Sequence, residues 1–372
     1  MLFLTKMKLK NNCFNMKILQ VITHFDVGGA EKVALNIVKS KSFGIQYFVI
    51  EVVYADTEYT KEILRELDVE CIRYFRSNVS STKKAILTFP IRMKRVFDEI
   101  NPDVVQVHTE TPDLAMYLFH KLYPSYKFKL VRTLHNTVLW QSWGWVGRIV
   151  EHYIKAEKAN VSNSLAVTDA YVKKFGKDDN ITLIYNGFAT QKQLPYAGIK
   201  EGKVNVLFAG RFVPQKGIDV LVKVIQKCKN QNIHFHVAGQ GEFAQMVQES
   251  LRKIENVTIS GPITNLSKYV GAFDYVIITS VHEGLNSLSI EASFNGTPCI
   301  INDIDGLNET LPKDWPLKVV GNNVQQYLDI LENIESLNHT MLCKKAHDFV
   351  DEHFSMAKMQ SEYEKLYRHK TS

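Results

Sequence analysis

The sequence predicts an α/β protein made of two successive doubly wound domains, each a parallel sheet with helices on both faces. Its 372 residues exceed what one ordinary hydrophobic core organises and suit two. Short Val- and Ile-rich runs are continuously apolar rather than alternating, the pattern of strands buried on both faces. Stretches of helical spacing lie between these runs, and helical crossovers make neighbouring strands parallel.

Taken in order, residues 1–15 precede the first apolar run and read as a tail or an over-called start, without the apolar segment of a signal peptide. The first domain, 16–190, carries KILQVIT, QYFVIEVVY, VECIRYF, DVVQVH, KLVRTLH, SLAVTD and ITLIYN as its strands. The polar stretch 191–203 then breaks the pattern and reads as a linker. The second domain, 204–350, repeats the plan with VNVLFAG, IHFHVAG, NVTISG, YVIITS and PCIIND, between helical segments such as DVLVKVIQKC. Residues 351–372 have apolar positions at helical spacing and are expected to form a helix packing back towards the first domain. Two domains imply a cleft.

With 45% apolar and 23% charged residues, the composition is that of a soluble globular protein. Five dispersed cysteines form no C-x-x-C pair, which argues against a disulfide framework or a zinc site and for a reducing compartment. No run approaches the roughly 18–20 apolar residues of a spanning helix. A cytoplasmic protein is expected, with no nucleic-acid partner. Residues 1–190 hold 26 Lys/Arg against 19 Asp/Glu (+7) and the remainder 19 against 20 (−1), so the basic excess lies in the first half. Part of it falls in KKAILTFPIRMKRVF (83–97), where Lys83, Lys84, Arg92, Lys94 and Arg95 alternate with apolar residues. Such a stretch can rest on the anionic inner face of the cytoplasmic membrane, or be a helix with a solvated basic face that Pro90 interrupts. Trp140, Trp143 and Trp145 nearby can stack on sugar, touch lipid or pack in a core.

In open parallel sheets, ligands bind beyond the carboxyl ends of the strands. Unusual polar and glycine residues fall at such ends here: Gly28 and Gly29, His108, His135, Arg211 with Lys216, Gly239 with Gly241, and Glu283 to Glu291. Arg211 offers a directional guanidinium and Lys216 a mobile point charge, a pair suited to a diphosphate, although two surface cations beside a helix start would look the same. After YVIITS the chain turns at Gly284 and opens a helix near Asn286 or Ser287, so the N–H groups of Asn286, Ser287 and Leu288 make an anion seat. Glu291, one turn on from Ser287, can accept from vicinal hydroxyls such as a ribose's, while Glu283, before the turn, points elsewhere, towards a sugar. A helix cap beside one exposed Glu is the plainer reading. Gly28 and Gly29 let backbone approach a ligand at the first helix start. His108 and His135 end neighbouring strands and are placed to orient an acceptor hydroxyl or share its proton.

The motifs GGAEKVALNIV, DVVQVH, GRFVPQKGIDVL, VAGQGEF and HEGLNSLSIEA, in this order, resemble glycosyltransferase family 4 over nearly the whole chain from Met16. Glu283 and Glu291, with seven residues between them, are similar to that family's E-x7-E pair. The resemblance implies a GT-B fold of two Rossmann-like domains and a nucleotide-diphosphate sugar, a UDP-sugar being favoured, bound mainly by the C-terminal domain. It implies transfer with retention of configuration, without metal or other cofactor. On that likeness Arg211 and Lys216 neutralise the leaving diphosphate, Glu291 holds the ribose and Glu283 touches the donor sugar. Gly29 offers backbone to the phosphate, His108 lies by the reacting centre and the backbone around Ile263 meets the base. The acceptor would be a saccharide or lipid-linked saccharide of bacterial capsule, O-antigen or lipopolysaccharide assembly. Where the family often has a second glycine, Asn286 stands here, which leaves the donor sugar open.

Other motifs point elsewhere. Asp303-Ile304-Asp305 resembles a D-x-D metal motif but follows the glutamate pair, and His234 and His236 lack a third ligand. Gly239-x-Gly241-x-x-Ala244 matches a relaxed dinucleotide fingerprint, yet it is not on the first strand and has no acid about 20 residues on. The alternatives that remain are a sugar-nucleotide epimerase of the same fold and a catalytically silent nucleotide-sugar binding protein.

Overall fold

The computed structural model describes residues 16–26, 29–39, 42, 44–141 and 144–369, so the expectations for residues 1–15, Gly28 and Trp143 lie outside the described residues. The chain forms two compact units. The first holds residues up to Asn163, Tyr171–Ile184 and the chain from Gln360, and the second holds Ser164–Ala170 and Tyr185–Met359.

In the first unit, β1 (Met16–Ile22), β2 (Ile45–Glu51), β3 (Arg73–Phe75), β4 (Val104–His108), β5 (Lys129–Leu134), β6 (Asn160–Ser162) and β7 (Thr182–Leu183) make one parallel sheet in the order β3-β2-β1-β4-β5-β6-β7. Its helices are α1 (Gly29–Val38), α2 (Glu58–Val69), α3 (Thr82–Ile100), α4 (Glu110–Leu122), α5 (Gly144–Ala156) and α6 (Leu165–Phe175), the first turn of α6 being assigned to the second unit. β1 and β4 are buried almost throughout, as their unbroken apolar runs require.

The second unit repeats the plan with β8 (Val204–Arg211), β9 (Ile233–Gln240), β10 (Val257–Ser260), β11 (Tyr275–Ile278), β12 (Cys299–Asn302) and β13 (Lys318–Val319), all parallel, in the order β10-β9-β8-β11-β12-β13. Helices α7 (Ile218–Lys227), α8 (Ala244–Leu251), α9 (Ser287–Phe294), α10 (Val324–Glu332) and α11 (His339–Phe354) surround it, and α12 (Met356–Arg368) follows after one extended residue, Ser355. In each sheet the strand order reverses once, between β1 and β4 and between β8 and β11, the places where doubly wound sheets bind ligands.

Four expectations are corrected. SLAVTD is not a strand: β6 ends at Ser162 and α6 begins at Leu165, because the Ser164 hydroxyl caps Val167 N–H at 3.1 Å and the Glu309 carboxylate takes the N–H groups of Leu165 and Ala166. A short apolar run fits either state until its ends are capped. The stretch 191–203 is no free linker, since the units divide at Ile184/Tyr185 and Leu194 N–H bonds the Lys268 carbonyl at 2.7 Å while Gln193 joins Asn295 and Gly271. The one helix expected over 351–372 is, in its described residues 351–369, the end of α11 and then α12. Pro90 does not interrupt α3, which continues through it with Pro90 buried. No helix among the described residues is long and apolar enough to cross a membrane.

Candidate functional site

In the second unit the site begins where β8 ends. A short 3₁₀ turn, Pro214–Lys216, leads to Gly217, which has φ 63° and whose added Cβ would fall 1.9 Å from the Thr279 carbonyl oxygen. Only glycine lets this turn lie against the end of β11. The Thr279 hydroxyl donates to the Lys216 carbonyl at 2.8 Å and Val281 N–H to that of Gln215 at 2.8 Å, locking the β8 and β11 loops together at the strand-order reversal.

Across this seam Lys216 Nζ meets Glu283 Oε1 at 2.6 Å, and Asn286 Nδ2 donates to the same oxygen at 3.0 Å. Glu283 is therefore turned onto the cation that sequence reasoning assigned to a separate contact. Asn286 Oδ1 caps α9 by accepting from Ser289 N–H at 2.9 Å. Its own N–H is spent on the Gly306 carbonyl at 3.0 Å, so it is not one of the seat's donors, and the N–H groups of Ser287 and Leu288 are those the first turn leaves without an intrahelical partner. Glu291 lies one turn along α9 from Ser287, half-buried. Arg211 is exposed, 3.5 Å from Gln215 Oε1, and Ile263 is half-buried in the turn after β10 against the core. Lys216, Glu283, Asn286 and the start of α9 are thus brought together, while Arg211 contacts Gln215, whose amide donates to the His282 carbonyl at 3.1 Å.

Packing explains the lookalike motifs. A Cβ on Gly239 would sit 2.0 Å from the Gly210 carbonyl oxygen, so this glycine allows β8 and β9 to close at their ends. His234 bonds Thr258 at 2.8 Å and His236 bonds Asn205 at 2.9 Å. Asp303 and Asp305 stand exposed on the loop after β12, and the described residues contain no group of three or more His, Cys, Asp or Glu arranged to hold a metal.

In the first unit Gly29 opens α1, exposed, with nothing within 4 Å of an added Cβ. His108 does not face open space: it is 1% exposed, with Nε2 2.7 Å from Gln20 Oε1 and Nδ1 3.0 Å from His135 Nε2. The Gln20 oxygen can only accept, so His108 Nε2 carries its proton and Nδ1 accepts from His135 Nε2–H. His135, half-buried, is left with Nδ1 as a lone pair without a partner among the described residues. Burial, with His135 alongside, holds His108 well below the usual imidazole range, and burial with the Arg132 charge pushes His135 down to about 3. Both rings are neutral at neutral pH, and His135 rather than His108 is the partly exposed ring of the pair.

Sequence reasoning missed the support beneath. Gln20 Nε2 donates to Gln106 Oε1 at 3.1 Å, Gln106 Nε2 to Thr133 Oγ1 at 2.8 Å, and Tyr363 and Tyr367 of α12 bond Thr133 and Gln106. The signal was there: Gln20 and Gln106 are the polar residues inside KILQVI and DVVQVH, and the strand register pairs them. Glu51, fully buried at the end of β2, accepts from Phe25 N–H at 3.3 Å and Arg76 Nε at 3.0 Å, anchoring the chain that leads to α1.

The family described as Glycosyltransferase Family 4 matches residues 27–192, and that described as Glycosyl transferases group 1 matches residues 203–339. An uncharacterized 41.2 kDa protein in the cps region of Klebsiella pneumoniae is 25% identical over 293 residues, 72% of this chain and 78% of that one. Among solved structures, a glycosyltransferase from Rickettsia africae is similar with a TM-score of 0.77 at 20% identity, over 95% of this chain and 98% of its own. Anabaena Alr3699/HepE, solved in complex with UDP, is similar with a TM-score of 0.76 at 17% identity, over 94% and 99%.

Proposed function

Because the chain belongs to the family 4 glycosyltransferases and has the GT-B fold, we propose that it moves a sugar, with retention of configuration, from a UDP-sugar to a saccharide or lipid-linked saccharide in bacterial surface polysaccharide synthesis. The observation that carries this reading is the cluster of Lys216, Glu283 and Asn286 at the strand-order reversal of the second sheet, beside the start of α9. As the bond from the anomeric carbon to the diphosphate breaks, negative charge grows on the leaving oxygens. Lys216, Arg211 and the N–H groups of Ser287 and Leu288 are the positive groups that stabilise it. The charge is met by the protein's own cations rather than by a metal. Glu291 takes the ribose hydroxyls, Glu283 a donor-sugar hydroxyl once Lys216 turns to phosphate, and the backbone at Ile263 the base. Gly29 leaves the backbone at the start of α1 open to a ligand. His135 Nδ1, positioned by His108, accepts a hydrogen bond from the acceptor hydroxyl. UDP is chosen from HepE, solved with that nucleotide, and the setting from the relative in a cps region.

Thermal unfolding with UDP, GDP, ADP and CMP tests the donor site. UDP at about 100 times its dissociation constant should add roughly 2.7 kcal/mol, and the rise in melting temperature should be absent in Glu291→Ala. No rise with any of the four nucleotides would remove the donor site from the argument.

A peripheral membrane contact belongs to the same reading. On the solvent face of α3, Leu87 and Ile91 are 70% and 71% exposed among the exposed cations Lys83, Lys84, Lys94 and Arg95. Each cation near an anionic surface is worth about 1 kcal/mol, so the protein should float with phosphatidylserine vesicles at low salt and be released as salt rises. Failure to float, or flotation unchanged in Leu87→Glu/Ile91→Glu, refutes α3 as the contact.

A further inference from the structure

A cavity of about 390 Å³ opens on the first unit, lined by Trp140, Gly144, Trp145, Arg148, Lys174 and Phe175. That volume lies in the range of small-ligand sites. Three features of its walls point to one ligand chemistry.

The first is charge. Arg148 and Lys174 face the same space; Arg148 is exposed and forms no hydrogen bond or ion pair with the described residues, while Lys174 Nζ donates to the Leu139 carbonyl, so neither meets a carboxylate. Two cations on one concave surface without an acid raise the local concentration of anions, and the amino end of α5, at Gly144, adds to the same sign. The second is the exposed indole. Trp145 is 75% exposed although neighbouring Trp140 is buried, and an uncovered indole beside a half-buried Phe175 is a stacking platform. The third is preorganisation. Trp140, buried in the lining, has φ 54°, a strained conformation for a bulky side chain. Its N–H is held by Glu110 Oε1 at 3.1 Å and its indole N–H by Glu151 Oε1 at 2.6 Å, and its ring lies where a Cβ on Gly147 would come within 2.4 Å.

We propose that this cavity binds an anionic saccharide, a sugar ring carrying a carboxylate or a phosphate. The ring lies against Trp145 and the acid sits between Arg148, whose planar fork matches either oxyanion, and Lys174. On the transferase reading above, and resting on it, this is a subsite for the acceptor chain.

Saturation-transfer NMR of the full chain with glucuronate, glucose 6-phosphate, glucose and inorganic phosphate tests it. The wild type should bind one or both acidic sugars, which tells carboxylate from phosphate, and should not bind glucose. Arg148→Gln should weaken that binding about tenfold, the loss of one charge-assisted pair, and Trp145→Ala should abolish the ring-proton signals. Both side chains are exposed and neither bonds the folded core, so the variants keep their fold. Equal binding of glucose, failure of both acidic sugars, equal displacement by inorganic phosphate, or unchanged binding in Arg148→Gln overturns the proposal. The UDP melting shift, read on the same samples, should survive in both variants. Its absence in the wild type would count against the donor site alone, and lost saccharide binding with the shift intact would count against this cavity alone.

Discussion

Lys216→Ala is expected to lower the rate of sugar transfer about 100- to 1,000-fold, the effect of removing one preorganised charge from a developing anion. The same change strips Glu283 of its 2.6 Å partner and leaves a nearly buried carboxylate with Asn286 alone, which should cost about 1–3 kcal/mol of stability. Steady-state kinetics and calorimetry on Lys216→Ala and on Lys216→Ala/Glu283→Gln separate the two effects. Neutralising Glu283 should restore the melting temperature while transfer stays slow. A double variant that regains wild-type transfer would show that the lysine serves the fold and not the leaving group.

The second large effect is expected at Arg132, 1% exposed in the first unit. Its guanidinium bonds Asp113 at 2.9 Å, Glu151 at 2.8 Å and Asn160 at 3.2 Å, and Glu151 also receives the Trp140 indole and the Tyr171 hydroxyl. One cation thus faces two buried carboxylates. Burial pushes Asp113 up to about 7, and its Oδ1, which has no partner among the described residues, is the atom where a proton relieves the excess charge. Arg132→Met leaves both acids uncompensated and should destabilise the first unit by about 3–5 kcal/mol, a fall in melting temperature on the order of 10 °C. Arg132→Lys should recover only part, because an ammonium cannot bridge both acids as the fork does. Calorimetry should show the first unit's transition fall while the UDP-responsive transition holds. An unchanged first transition would mean that the network is solvated and contributes little.

The strands were legible because burial on both faces leaves a mark in composition: KILQVI, DVVQVH and YVIITS each needed nothing beyond their own residues. So were the charged positions at strand ends, since a parallel sheet sends ligands there whatever the loops do. SLAVTD misled because a six-residue apolar run is decided by its caps, and one of those caps, Glu309, lies 144 residues away from Leu165. The stretch 191–203 misled because its polarity is spent on partners such as Lys268, Gly271 and Asn295, which no local pattern reveals.

By itself the sequence determined two doubly wound domains, most of their strands and the identity of the residues beyond those strands' ends, because periodicity and turn chemistry are local. Only the tertiary structure decided which of those residues meet. Gly217 against Thr279 sets Lys216 onto Glu283, the Gly306 carbonyl consumes the Asn286 N–H, and Gln20 with Gln106 holds His108 in the buried interior, against His135. Each of these is a contact between groups distant in sequence, fixed by the demand that buried donors, acceptors and charges find partners.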